Sequence, residues 1–182
     1  MTTKSSSGGQ DTVHVPSSTP WGAPDGSAAR RGTLNHVRLT VTDVGVAEPF
    51  YALIADHLGL ELVERDEQRL AWAAPLNGDS LQWLILANAH ADALHDRHDR
   101  YSPGLQHIAF NVESRDGVDE LYRSALAADI SVERAPEEYD YEEGYYAVFL
   151  RDPDGIVIEA VHVPVQGSRT YWSSFESSQK PV

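Results

Sequence analysis

Two histidines and one glutamate stand out in this 182-residue sequence because together they could hold a metal ion. His36 and His107 each open a six-residue stretch of alternating residues, His-Val-Arg-Leu-Thr-Val and His-Ile-Ala-Phe-Asn-Val. Glu159 lies in a third stretch, with apolar neighbours on both sides. A carboxylate buried there needs a positively charged partner, which is either Arg38, in a salt bridge, or a metal ion. Two imidazoles and one carboxylate suit Fe(II), and they also accept Mn, Co, Ni or Zn.

The alternation in the two histidine stretches is typical of β-strands with one apolar and one polar face. His36, Arg38 and Thr40 share the polar face of the first strand, and His107 shares that of the second with Asn111. Because a strand buried on both sides lacks such a face, we expect these faces to line a wet, concave surface. Arg38 and Asn111 are therefore candidates for binding a small-molecule substrate. Arg38 is suited to bidentate hydrogen bonds with an anionic group.

The similarity between the two stretches continues along the chain and predicts an internal duplication. Each copy reads as a strand, a helix and three further strands, so we predict an α+β fold of two βαβββ modules. Module one takes residues 33–89, a linker takes 90–103, and module two takes 104–165. Residues 1–32 are rich in Ser, Thr, Gly and Pro and predict a disordered arm, while 166–182 predict a loose tail.

Each module is predicted to end in a hairpin. Asn77-Gly78 and Asp154-Gly155 supply the turn residues, since Asn and Gly tolerate positive φ. Aligning the two hairpin glycines brings Gln82 opposite Glu159. Gln82 is therefore a candidate for a fourth, weaker oxygen ligand.

Composition excludes several classes of function. The formal charge of −14 disfavours binding to nucleic acids or to anionic membrane surfaces. The absence of Cys excludes disulfides, thiolate nucleophiles, Cys-ligated zinc and iron–sulfur clusters. No apolar run reaches the roughly 18 residues of a membrane span, and the first residues lack the apolar stretch of a signal peptide. We therefore expect a cytoplasmic protein.

Three motifs give the sequence a resemblance to a known family. They are Leu34-Asn-His36, Gly104-Leu-Gln-His107-Ile-Ala-Phe, and Tyr145 to Glu159 with its Asp-Pro-Asp-Gly turn. With them, residues 33–165 resemble the vicinal oxygen chelate superfamily, which includes glyoxalase I, extradiol dioxygenases and fosfomycin-resistance thiol transferases. The resemblance implies paired βαβββ modules that form an open, U-shaped barrel around one divalent metal ion. It also implies that His36, His107 and Glu159 are the ligands.

The sequence departs from individual branches of that superfamily. Glyoxalase-like members have a fourth ligand where Gln82 falls. Extradiol dioxygenases have a Tyr ten residues before the ligand Glu, where this chain has Phe149, although Tyr146 lies nearby on the same predicted strand. Tyr146 is therefore a third candidate for binding substrate. The acidic segment 137–143, just before this strand, is either a hydrated loop or a lid over the cleft.

These patterns lead to an ordered set of expected functions. The first is a mononuclear metal enzyme, with Fe(II)-dependent oxygenase chemistry favoured because three ligands leave positions open for substrate and dioxygen. The second is a glyoxalase-like lyase or isomerase that uses Ni, Co or Zn. The third is a metal-free protein that sequesters small molecules. We expect a homodimer, with the modules paired either within one chain or across two.

Overall fold

A computed structural model describes residues 34–77, 80–94 and 97–164. The regions predicted as a disordered arm and a loose tail lie outside the described residues. Module one contains β1 (His36–Val41), α1 (Val44–His57), β2 (Glu61–Arg65), β3 (Arg69–Asn77) and β4 (Ser80–Asn88). Asp43 caps the start of α1, because its side chain accepts hydrogen bonds from the backbone N–H groups of Gly45 and Val46.

Module two repeats the order of module one after a short 3-10 helix at Ala91–Ala93. It contains β5 (Ile108–Asn111), α2 (Arg115–Ala127), β6 (Ser131–Glu138), β7 (Tyr146–Arg151) and β8 (Val157–His162). Ser114 caps α2 through a hydrogen bond from the backbone N–H of Gly117. The predicted α+β fold of two βαβββ modules is therefore confirmed.

Each module forms its own four-stranded mixed sheet. The strand orders are β1-β4-β3-β2 and β5-β8-β7-β6. The first strand of each module runs parallel to the last, and the other neighbours are antiparallel. The sheets do not close on themselves among the described residues, as an open barrel requires. None of the helices among the described residues is long and apolar enough to cross a membrane.

The strand register corrects the predicted counterpart of Glu159. Ala109 on β5 pairs with Glu159 on β8, and Arg38, which corresponds to Ala109 in the repeat, pairs with Ile85 on β4. Ile85, and not Gln82, therefore occupies the position equivalent to Glu159. The alignment was wrong because the β4 arm of the first hairpin is three residues longer, so the two hairpin glycines are not equivalent.

The two modules share one apolar core beneath the sheets. Strand residues such as Leu39 and Ile158 pack there with helix residues such as Phe50 and Leu121. Burial of each such side chain stabilises the fold by about 1.5–3 kcal/mol. One continuous core across both modules holds the two sheets in a fixed relation.

Polar contacts also tie the modules together, at the turn between β7 and β8. The Tyr51 hydroxyl on α1 donates to Asp152 Oδ2 at 2.8 Å, and the Thr42 backbone N–H donates to Asp154 Oδ2 at 2.8 Å. Asp152 is buried and also accepts the backbone N–H of Ile156. The turn that precedes the Glu159 strand is therefore fixed from both modules.

Candidate metal centre

Glu159 lies in the middle of β8 with only 1% of its surface exposed. Its Oε2 atom is 2.9 Å from Nε2 of His107, and its Oε1 atom accepts a hydrogen bond from the Tyr145 hydroxyl at 2.6 Å. The side chain of Arg38 is exposed and does not pair with Glu159. Of the two alternatives for the carboxylate, the salt bridge to Arg38 does not form in this structure.

Each candidate histidine is oriented by the amide side chain that precedes it. Nδ1 of His36 donates to Oδ1 of Asn35 at 2.8 Å, and Nδ1 of His107 donates to Oε1 of Gln106. Metal-binding histidines commonly donate one ring N–H to such an acceptor, which leaves the other nitrogen free to bind the ion. In both modules Nε2 is therefore the ring nitrogen available to a ligand. Neither Asn35 nor Gln106 was among the residues predicted from the sequence.

The structure brings two of the three predicted ligands together. His107 and Glu159 are in contact, whereas His36 is exposed at the start of β1. Within the described ranges, no group of three or more His, Asp or Glu side chains is close enough to hold a metal ion. The role of His36 therefore stays a prediction.

The contact between His107 and Glu159 is compatible with a shared metal ion. Two donor atoms about 2.1 Å from one ion and at right angles to each other lie about 3.0 Å apart. The observed separation of Nε2 and Oε2 is 2.9 Å. With Nδ1–H engaged by Gln106, Nε2 faces the carboxylate across a position that a proton or a metal cation must fill. The donor set fits a divalent ion.

Strand alternation places Tyr145, and not Tyr146, beside the candidate ligands. Phe149 on β7 pairs with Glu159, and Tyr145 precedes the strand on the same face. Tyr146 points to the helix side, where its hydroxyl donates to Asp119 of α2 at 2.8 Å. Its selection as a substrate-binding residue overlooked this parity, and the same parity could have identified Tyr145. Burial and the Glu159 carboxylate both raise the pKa of Tyr145, so its phenol stays protonated and donates.

The other two candidate substrate-binding residues lie on exposed strand faces. Arg38 is exposed beside His36 on β1. Asn111 ends β5 and lines a cavity of about 350 Å³ together with Gln82, Trp83 and Phe110. Gln82 thus lies at the wall of this cavity near Asn111, away from the position equivalent to Glu159.

The acidic segment before β7 packs through its aromatic residues. The Tyr139 ring stacks on Tyr141 with centroids 5.5 Å apart, and it meets Phe149 edge-on at 5.6 Å. Burial and the nearby Glu137 raise the pKa of Tyr139 to about 12. The Phe149 ring in turn meets His107 edge-on at 5.7 Å. Through Tyr139 and Phe149, this segment therefore packs against the module-two side of the site.

Comparison with known proteins agrees with this architecture. A sequence profile of the Glyoxalase/Bleomycin resistance protein/Dioxygenase superfamily matches residues 33–160. The chain belongs to this superfamily. The uncharacterized protein YqjT of Bacillus subtilis (strain 168) is 27% identical over 129 residues, which cover 70% of this chain and 97% of that protein.

Solved structures of the superfamily share the fold. A lactoylglutathione lyase from Agrobacterium tumefaciens is 26% identical, with a TM-score of 0.51 over 74% of this chain and 96% of its own. A glyoxalase/bleomycin resistance protein from Albidiferax ferrireducens T118 is 23% identical, with a TM-score of 0.56 over 72% of this chain and 98% of its own. Many superfamily members are enzymes, and members typically bind a divalent metal ion.

Proposed function

We propose that this chain is a mononuclear, divalent-metal enzyme that acts on a small oxygen-bearing substrate, with His36, His107 and Glu159 as ligands. The observation that carries the proposal is that an amide engages Nδ1 of His36 and of His107, together with the buried carboxylate of Glu159, whose Oε2 lies 2.9 Å from Nε2 of His107. A binding protein without metal has no need of these features.

Different side chains would bind the ion, bind the substrate and exclude water. The two histidines and Glu159 would hold the ion, which when bound would supply Lewis-acid chemistry or, as iron, oxygen chemistry. Arg38, exposed two residues from His36, would hold an anionic group of the substrate. The apolar and aromatic surface around Phe149 would exclude water on the module-two side.

Fe(II)-dependent oxygenase chemistry is the favoured reaction because Ile85 occupies the position equivalent to Glu159. An isoleucine cannot bind a metal ion, so β4 supplies no fourth ligand there and more positions stay open for substrate and dioxygen. The second candidate is a glyoxalase-like lyase or isomerase on Ni, Co or Zn, with Mn also able to occupy the ligand set. Similarity to the lactoylglutathione lyase supports it.

The ligand assignment is tested by metal content. His36→Ala, His107→Ala and Glu159→Ala should each lose most of the bound ion, with an effect larger than the roughly 10–100-fold typical of supporting residues. His162→Ala is the matched control, because His162 lies on β8 but faces the helix side. Elemental analysis after anaerobic purification gives the stoichiometry. One equivalent of metal retained in the Glu159 variant would contradict the assignment.

The reaction type is tested with an oxygen electrode and the Fe(II)-loaded protein. Catechols, 2-keto acids and 2-hydroxy carbonyl compounds form the substrate panel. Turnover by an oxygenase requires and consumes dioxygen, whereas a lyase or isomerase rearranges or cleaves its substrate without any dioxygen. Anaerobic turnover at the aerobic rate would exclude the oxygenase and favour the second candidate.

We also infer a homodimer, since His36 does not reach the other two ligands within the single described chain. If the site forms across two copies, mixing the His36→Ala and Glu159→Ala proteins restores one intact site per heterodimer. Metal content then returns to about a quarter of the wild-type value after random reassociation, by the statistics of mixing. If the site forms within one chain, mixing restores nothing.

A further inference from the structure

The phenol of Tyr145 donates a hydrogen bond to one carboxylate oxygen, Oε1, of the candidate ligand Glu159. We propose that Tyr145 is a positioning residue that binds Oε1 and leaves only Oε2 to hold the metal ion. The inference rests on the proposed function, because it concerns how the predicted ligand is presented.

A free carboxylate can bind a metal ion through one oxygen or through both. Here Oε1 accepts the Tyr145 O–H at 2.6 Å, a short distance typical of a hydrogen bond to a charged oxygen. Oε2 lies 2.9 Å from Nε2 of His107, on the side of the second ligand. Because only 1% of Glu159 is exposed, water has little access to compete for Oε1. The contact would therefore favour binding of an ion through Oε2 alone.

Neighbouring aromatic rings hold Tyr145 in this position. Tyr141 meets the Tyr145 ring edge-on with centroids 5.2 Å apart, and Tyr139 meets it edge-on at 6.1 Å. Tyr139 is itself packed on Phe149, the residue paired with Glu159. This packing restricts rotation of the Tyr145 side chain and keeps its hydroxyl within hydrogen-bond distance of Oε1.

Tyr146 provides a matched control from the adjacent position. Its hydroxyl also donates to a carboxylate at hydrogen-bond distance, that of Asp119, 2.8 Å away. Arg115 lies over its ring, 4.1 Å from the centroid. Replacing either tyrosine by Phe removes one hydroxyl and one hydrogen bond to a carboxylate, but only Tyr145 contacts a predicted ligand.

The experiment is a Co(II) titration of the full chain, followed by isothermal calorimetry and by the visible d–d absorption of the bound ion. Tyr145→Phe should weaken Co(II) affinity by about 10–100-fold, as expected for a residue that supports a ligand. Its d–d spectrum should also change, because Glu159 becomes free to bind through both oxygens. Tyr146→Phe should leave affinity and spectrum at the wild-type values.

The possible outcomes separate this inference from the proposed function. Wild-type protein that binds no Co(II) would overturn the proposed function. If the wild-type protein binds Co(II) and Tyr145→Phe binds it with the same affinity and the same spectrum, only the role of Tyr145 would be overturned. An equal loss in both variants, with the metal-free proteins melting at lower temperature, would also overturn it, since the effect would then be structural.

Discussion

At the scale of single residues, the fourth ligand of the proposed metal site depends on which face of β4 a side chain occupies. Gln82 and Ile85 are three positions apart on this strand, so they point to opposite faces. Gln82→Ala should therefore keep the full metal stoichiometry, with a change in affinity well below the roughly tenfold loss typical of supporting residues. Calorimetric titration checks this, with Glu159→Ala as the variant that must lose the ion. Loss of metal in the Gln82 variant would favour the glyoxalase-like candidate.

Individual site residues were predictable where a pattern isolates them. His107 and Glu159 could be selected because a polar residue at a repeated position, or inside an apolar strand, is conspicuous without coordinates. Strand parity places Tyr145 on the same face as Glu159, but its contact with Oε1 could not be predicted in the same way. Its role depends on a ring packed by Tyr139 and Tyr141, and on β7 beginning one residue later, at Tyr146.

At the scale of elements, the order of strands and helices followed from alternation and repetition, but hairpin length did not. A glycine in a hairpin predicts the position of the turn, but it does not predict the lengths of the two strands that flank it. The β6 strand shows the same limit, because it extends to Glu138 despite the acidic residues at its end. Pairing of Glu138 with Tyr146 on β7 supplies backbone hydrogen bonds that outweigh the unfavourable composition.

The turn between β7 and β8 gives a prediction at this scale. Gly155 has a φ of +96°, and a Cβ added there would lie 2.8 Å from the backbone oxygen of His98 in the linker. Gly155→Ala should lower the free energy of unfolding by more than about 2 kcal/mol, from the strained backbone and the clash together. Urea denaturation measures the change.

Gly59→Ala is the control for the clash. Gly59 also has a positive φ, of +68°, but an added Cβ would meet nothing within 4 Å. This variant should lose only the roughly 1–2 kcal/mol of a left-handed L-residue. Equal losses in the two variants would show that contact with the linker contributes nothing.

At the scale of the whole molecule, the two modules act as one unit because the core and the polar contacts both cross between them. Leu39 of module one and Ile158 of module two belong to the same apolar cluster. The duplication predicted two similar modules, yet the contacts that join them do not repeat. Tyr51 reaches Asp152 of the other module, whereas Tyr122, its counterpart 71 residues later, has no such acceptor among the described hydrogen bonds. Differences of this kind arise from docking and cannot be read from either repeat alone.

The contact between Tyr51 and Asp152 allows the docking of the modules to be measured. Tyr51→Phe should lower the free energy of unfolding at pH 7 by about 1–3 kcal/mol, because a buried carboxylate loses a donor. Tyr122→Phe is the control and should change it by less than about 0.5 kcal/mol. Chemical denaturation of the three proteins, followed by circular dichroism, gives these values.

The effect of the Tyr51 variant should also depend on pH. Burial and the Asp152 charge raise the pKa of Tyr51 above its ordinary value of about 10. Above that pH the unfolded chain releases the phenolic proton while the folded protein keeps it, so the contribution of Tyr51 to stability is lost as the pH rises. The difference between wild type and Tyr51→Phe should therefore shrink above about pH 10, whereas the Tyr122 control should show no such narrowing. A constant difference from pH 7 to 11 would show that the Tyr51 hydroxyl titrates alike in the folded and unfolded chain, and that the contact is not buried between the modules.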